Sequence, residues 1–241
     1  MNKTGDIKAE IFSKGFAVVN DIYSDEEVSK LINQVEQANT SNATFRKTTE
    51  LFAIRQFLKE VPGSAAIIFN TKLKALIAEL FTSKFFVVKS IYFDKPGTSN
   101  WFVSYHQDLT ISVDKKIKLD EFGPWTVKQN QFAVQPPLKI LQDNFTVRIH
   151  LDDTNEENGA LKVIPQSHNK EIYRPETIDW QRETESVCCV KKGGIMFMKP
   201  LLLHSSCRTT NNKKRRVIHI EFSSILLPEG LQWSEFLRIK G

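Results

Sequence analysis

The sequence predicts a mainly β protein: a double-sheet barrel of the jelly-roll kind with a helical layer on one side. Three observations predict it. Helical periodicity is confined to the part before Phe85, a succession of short strand-like runs follows, and two of those runs are apolar on one face and ionisable on the other.

The helical part comes first. "KGFAVVNDIYSDEEVSKLINQVEQA" reads as a short strand followed by a helix whose start is marked by Ser24 and Glu27 at capping-box spacing. Val28, Leu31, Ile32 and Val35 then form one apolar stripe. "PGSAAIIFNTKLKALIAELF" continues as helical segments, with Pro62 near the start and Leu73, Leu76, Ile77 and Leu80 at helical spacing. From Phe85 onward the runs are "FFVVKSIYF", "FVSYHQD", "FTVRIHL", "ALKVIP", "SVCCV", "IMFM" and "RRVIHIEF", separated by turn residues such as Asn158-Gly159 and Gly193-Gly194. The expected organisation is one domain over 1–241, with a helical part at 1–84 and a jelly-roll core at 85–224. A chain of 241 residues can bury a substantial core of that kind.

Composition narrows the function classes. With 41% apolar and 25% charged residues, the chain is an ordinary globular protein rather than a disordered one. "MNKTGDIKAE" lacks the apolar region of a secretory signal, and no run approaches the roughly 18 apolar residues of a membrane span, so a cytoplasmic protein is expected. Three cysteines, Cys188, Cys189 and Cys207, include no C-x-x-C pair and suit a reducing compartment. The net charge of +5 is moderate; the cationic run "RTTNNKKRR" is read as a solvated turn between strands, and no nucleic-acid partner is expected.

Two strands divide their faces in an instructive way. "RRVIHIEF" carries Ile218, Ile220 and Phe222 on one side and Arg215, Val217, His219 and Glu221 on the other. "FTVRIHL" opposes Phe145, Val147, Ile149 and Leu151 to Thr146, Arg148 and His150. A surface strand has this pattern. So does a strand whose apolar face packs under helices while its polar face lines a cleft, and that arrangement requires a ligand or ion, because buried charge is costly when unpaired. Residues 112–142, with "FGPWTVKQNQF" and Pro136-Pro137, are too long for a turn. They read either as a lid-like insertion or as a surface excursion anchored by Trp125.

The chemistry rests on residues far apart in the chain. In "SYHQDLTISV", His106 and Asp108 would leave an extended strand on the same face, roughly 6–7 Å apart. An isolated H-x-D equally fits a strand running into a polar loop. His204, 98 residues beyond His106, ends the apolar run of "FMKPLLLHSSC", where a core histidine would also fit, and Arg215 follows eleven positions later. Together His106, Asp108 and His204 make the two-histidine, one-carboxylate set that binds Fe(II) with open positions, and an arginine nearby can grip a carboxylate through two parallel hydrogen bonds.

On "YHQD", "LDDTNEENGALKVIPQSH" and "PLLLHSSCRTTNNKKRRVIHIEF", the chain resembles the phytanoyl-CoA dioxygenase family of iron- and 2-oxoglutarate-dependent oxygenases, in element order from about Lys14 to the end. The resemblance implies a double-stranded β-helix, another name for the jelly roll, with iron held by His106, Asp108 and His204. It implies Arg215 on the distal carboxylate of 2-oxoglutarate, with Gln107 and Ser206 also touching that co-substrate. The implied activity is hydroxylation of a small molecule using O2, with release of succinate and CO2. Arg216 is the rival anchor, but alternation turns it toward the apolar face. Arg148, His150 and Arg55 are weaker site candidates, and His168 is read as structural. Trp101, Phe102 and Trp125 are candidates for an apolar pocket wall beside the metal. Asp108 argues against a halogenase, which has a small residue at that position. Because the same ligands suit zinc, a zinc hydrolase and a non-catalytic ligand-binding barrel are the other readings. The family name does not assign a CoA substrate, and the oligomeric state is open.

Overall fold

The computed structural model describes residues 3–38, 41–42, 44–48, 52–81, 84–128 and 131–239. Helix α1 (Lys3–Lys14) was not expected from the sequence, because only Ile7 and Ile11 give it an inward face. Strand β1 (Phe16–Val19) leads to α2 (Asp25–Glu36), where the Ser24 side chain accepts from Glu27 N and the Glu27 carboxylate accepts from Ser24 N, the expected capping box. Val28, Leu31 and Val35 of α2 are buried. Next come β2 (Phe45–Lys47) and β3 (Phe52–Arg55), then three helices: α3 (Phe57–Glu60), α4 (Ser64–Ile68) and α5 (Thr71–Leu80). Besides the expected β1, the helical part at 1–84 therefore supplies β2 and β3, which its apolar spacing did not reveal.

The chain continues with β4 (Phe86–Lys95), β5 (Val103–His106), β6 (Ile111–Val113), β7 (Trp125–Lys128) and β8 (Gln131–Val134). After α6 (Leu138–Asp143) follow β9 (Phe145–His150), β10 (Leu161–Val163), β11 (Ser186–Cys188), β12 (Ile195–Met198), β13 (His204–Ser206), β14 (Arg215–Ser223) and β15 (Leu237–Arg238). The larger sheet runs β1-β12-β9-β14-β4-β3-β2, with β15 also on β4, and the smaller runs β11-β10-β13-β5. The named pairs are antiparallel. The fold is a jelly roll, two facing sheets with helices packed on the outside of the larger one.

Alternation sorts the side chains as the sequence predicts. Phe145, Val147, Ile149 and Leu151 of β9 and its end, with Ile218, Ile220 and Phe222 of β14, join α2, α3 and α5 in the main core. The other faces of β9 and β14 point between the sheets. Gly159 and Gly193, in the expected turns, have φ of +82° and +76°; a Cβ on Gly159 would come within 2.7 Å of the Cys207 carbonyl. The three cysteines are free thiols. Among the described residues no helix is long and apolar enough to cross a membrane.

The 112–142 segment has its own secondary structure: β6, β8 and β7 form a three-stranded sheet, followed by α6. Trp125 packs half-buried against the second apolar cluster, which includes Ile111, Val113 and Trp233. Residues 129 and 130 of this segment lie outside the described residues.

Candidate active site

Cross-strand pairing is what brings the two histidines together. In the β13·β5 ladder His204 lies opposite His106, and their rings sit 4.2 Å apart between centroids. Strand β5 ends at His106, so Asp108 does not continue it as the alternation argument assumed. Instead Asp108 N donates to the Pro200 carbonyl at 2.9 Å, which fixes the residue beside the chain leading to β13. Its carboxylate lies 4.0 Å from His106 Nε2 and 3.9 Å from His204 Nε2. These separations exceed a hydrogen bond, and the three ligand atoms lie within 4.8 Å of one another, as befits side chains converging on a shared cation.

Both imidazoles are set up as ligands. His106 Nδ1 faces the Ser104 carbonyl at 2.9 Å, and His204 Nδ1 faces the Leu202 carbonyl at 2.9 Å. A carbonyl accepts only, so each Nδ1 carries the proton and each Nε2 presents a lone pair to the space shared with Asp108. Burial pulls the His204 pKa down to about 4 against the opposing pull of Asp108, which keeps the ring neutral near pH 7. Burial opposes ionisation of Asp108, but its electrostatic interactions with His204, Lys89, His219 and His106 outweigh it and hold the carboxyl well below its usual range. The donor set fits a divalent transition metal.

A cavity of about 260 Å³ adjoins these ligands between the sheets. The smaller sheet contributes Val103, Leu161, Ser205 and Ser206; the larger contributes Ile91, Phe93, Arg148, Arg215 and His219. Arg215 is 4% exposed and Arg148 7%. Among the described residues Arg215 Nε and Nη1, Arg148 Nε, His150 Nε2 and Ser206 Oγ are buried without a hydrogen-bond partner. Burial, and for Arg215 also the neighbouring Arg148, pushes the two guanidinium pKa values down to about 9 and about 10. Two desolvated cations with unmet donors beside a hydroxyl suit an anion rich in oxygen acceptors.

Arg148 is oriented by a buried chain that sequence reading did not assign to the site. Arg148 Nη1 donates to His219 Nδ1 at 3.0 Å, His219 Nε2 donates to Glu221 at 3.0 Å, and Lys89 Nζ donates to the same carboxylate at 2.7 Å. His219 and Glu221 were legible on the polar face of their strand. The lysine interrupting the apolar run "FFVVKSIYF" was the unused signal for Lys89.

The remaining candidates separate cleanly. Arg216 points to the other side of β14 and forms a bidentate pair with Asp152, at 2.9 and 2.7 Å. His150 Nδ1 contacts Thr154 Oγ1, leaving its other nitrogen toward the arginines. Gln107 does not join the cavity: its amide donates to the Glu171 and Leu201 carbonyls and accepts from Tyr173 N, so it ties loops together. Trp101 lines the cavity, whereas Phe102 is half exposed beneath the Arg208 guanidinium and Trp125 packs in the second apolar cluster. His168 Nε2 lies 3.1 Å from the Phe12 carbonyl and does not line the cavity, and Arg55 lines an adjoining one.

Comparison with known proteins gives a consistent result. The family model described as phytanoyl-CoA dioxygenase (PhyH) matches residues 12–217. An ectoine dioxygenase of Bordetella bronchiseptica is 25% identical over 166 residues, covering 66% of this chain and 47% of that protein, and one of Bordetella parapertussis matches equally. The chain thus spans about half the length of the curated relatives it matches. Among solved structures, EctD from S. alaskensis with 2-oxoglutarate and 5-hydroxyectoine has a TM-score of 0.68 at 17% identity, covering 90% of this chain and 74% of that one. HygX from Streptomyces hygroscopicus with nickel, 2-oxoglutarate and hygromycin B has a TM-score of 0.64 at 14% identity, covering 92% and 87%. At these identities the structural matches speak for the fold.

Proposed function

The chain belongs to the phytanoyl-CoA dioxygenase family, and from that premise we propose that it is an Fe(II)- and 2-oxoglutarate-dependent dioxygenase that hydroxylates a small molecule. His106, Asp108 and His204 hold the metal. Arg215 grips the distal carboxylate of 2-oxoglutarate, with Ser206 as an additional donor and Arg148 adding positive charge. Iron with 2-oxoglutarate and O2 supplies the oxidative decarboxylation to succinate and CO2 that is coupled to oxidation of a substrate C–H bond.

The observation that carries this reading is the pair of buried guanidiniums with unmet N–H donors, next to three converging side chains. Arg148 keeps one bond, to His219, but its Nε and the Nε and Nη1 of Arg215 are buried donors without an acceptor, a cost that a bound anion would offset. A dicarboxylate co-substrate held by Arg215 would meet that need. The chain's own part is positional. The Ser104 and Leu202 carbonyls fix the imidazole tautomers, and the Arg148–His219–Glu221–Lys89 chain fixes the cationic wall. The 112–142 segment borders the adjoining cavity through Thr126, Phe132 and Ala133, which supports a role in covering bound substrate. Relatives named for ectoine, rather than for a CoA ester, support a small polar substrate.

The test is direct. Purified protein given Fe(II) and 2-oxoglutarate should form succinate, and Arg215→Ala should raise the 2-oxoglutarate requirement sharply. Unaltered 2-oxoglutarate binding by that variant would show that the anchor lies elsewhere.

A further inference from the structure

Beside the metal-ligand cavity lies a second one, of about 410 Å³, and the two share Lys89 and Ile91 of β4 as a common wall. Its volume lies within the range of small-molecule sites. The larger sheet contributes Arg55, at the end of β3, which lies between β4 and the edge strand β2. In the β3·β4 ladder Arg55 lies directly opposite Ile91, and residues so opposed project from the same face. The guanidinium therefore lies on the barrel-interior side, that of Ile91, rather than under the helices. Arg46 of β2 lies opposite Ala53, which puts a second cation on this face as a diagonal neighbour of Arg55.

Arg55 is half-buried, and among the described residues no carboxylate pairs with it and no acceptor takes its protons. Burial, and then Arg46, both push its pKa down, the signature of a cation lacking its counter-charge. The acids of this cavity are turned to other partners. Glu235 accepts from Ser90 N at 2.7 Å and from Ser90 Oγ, while Asp114 accepts from Gln232 N at 2.9 Å. An arginine partly withdrawn from water, beside another cation and on the wall of a cavity, is a receptor for an anion from outside the chain.

We propose that this second cavity receives the primary substrate and that Arg55 binds an anionic group on it, a carboxylate or a phosphate, so that the substrate is a small polar acid. The anion site stands on the geometry of Arg55, whereas its assignment to the oxidised substrate rests on the oxygenase reading. Anchored at Arg55, such a molecule reaches across Ile91 and Lys89 toward the ligands of the metal.

Acetate and inorganic phosphate are the probes, titrated separately into the full chain loaded with zinc and saturated with 2-oxoglutarate. The readout is the arginine side-chain Nε–H resonances in NMR, with the Arg55 signal identified by its loss in Arg55→Gln. We expect the Arg55 resonance to shift saturably in the millimolar range, at least roughly tenfold more tightly than that of surface-exposed Arg182. The tighter of the two probes then identifies the acid class. An Arg55 signal that responds no more than Arg182 to either anion overturns the proposal. Succinate formation by the wild-type protein, measured in parallel, separates the two claims. Anion binding at Arg55 without succinate leaves the anion site standing and removes the oxygenase reading; succinate without anion binding does the reverse.

Discussion

Replacing Arg215 with methionine should make the metal-free protein more stable while crippling it for 2-oxoglutarate, two effects of opposite sign from one side chain. Arg215 is 4% exposed, and its Nε and Nη1 have no partner among the described residues. Each unmet buried donor costs about 1–3 kcal/mol. Burial and Arg148 lower the Arg215 pKa to about 9, below the usual guanidinium value, so the folded state resists the charged form and at neutral pH bears that cost in full. Methionine keeps most of the aliphatic volume and has no donors. Exchanges of buried charge for apolar volume gain about 1–4 kcal/mol, and each kcal/mol moves Tm by roughly 2–4 °C in a chain of this size. The expected outcome is a Tm higher by several degrees, measured by circular dichroism in the presence of a chelator. The same change removes one partner of a buried charge pair with the co-substrate, worth about 2–5 kcal/mol or roughly 30- to 4,000-fold in Kd, measured by calorimetry on zinc-loaded protein. A lower Tm in the chelated variant, of the size of an ordinary core truncation, would refute the claim that this guanidinium is held at a cost for want of an anion.

Three further outcomes follow from the same geometry. Asp108→Ala should lower bound metal at least roughly tenfold, by elemental analysis after reconstitution, because it removes the only carboxylate of the set while leaving the β13·β5 ladder intact. Arg216→Ala breaks the bidentate pair with Asp152, which is partly exposed and therefore worth about 1–2 kcal/mol, read as a lower urea midpoint with 2-oxoglutarate affinity unchanged. Burial with Arg148 and Arg215 depresses the His150 pKa well below the usual imidazole value, so its contribution to stability is complete above that value and is lost as pH falls beneath it. Urea stability of the metal-free protein should accordingly decline from about pH 6.5 downward, by up to about 1.4 kcal/mol per pH unit for this group, and His150→Gln should flatten the decline.

What the sequence made legible was what depends on local pattern. The capping box of α2 and the inward faces of α2 and α5 need only neighbours three and four apart. The two-faced strands β9 and β14 were equally plain, because period-two alternation states which side each residue takes. The convergence of His106, Asp108 and His204 was legible through motif order, although alternation alone gave the wrong picture of Asp108, which lies beyond the end of β5 and is held by the Pro200 carbonyl. Less visible was whatever tertiary context decides. Helix α1 has too few apolar residues to announce itself, and β2 and β3 are short strands recruited by the edge of β4. Gln107 stands between two ligands, yet its amide is consumed by three backbone groups from distant loops that no local pattern reveals. Phe102 and Trp125 are close to the site in sequence and are diverted by Arg208 and by the 112–142 sheet.

The choice of Arg215 over Arg216 shows how register becomes chemistry. A slip of β14 by one residue would exchange its faces, sending Arg216 into the cavity and Arg215 under the helices. Two independent locks oppose the slip. Ile218, Ile220 and Phe222 are each fully buried in the main core, and turning them into a charged cavity would forfeit roughly 1.5–3 kcal/mol apiece. Arg216 is held at Asp152 by two side-chain hydrogen bonds and a third from its backbone N at 2.9 Å, a partner that exists only on the outer side of the strand. The pairing of β14 with β4 and with β9 extends these locks along the strand. The apolar face therefore does more than fill the core: its hold on register is what keeps one particular guanidinium, with donors unmet at a cost, on the cavity it shares with His106, Asp108 and His204.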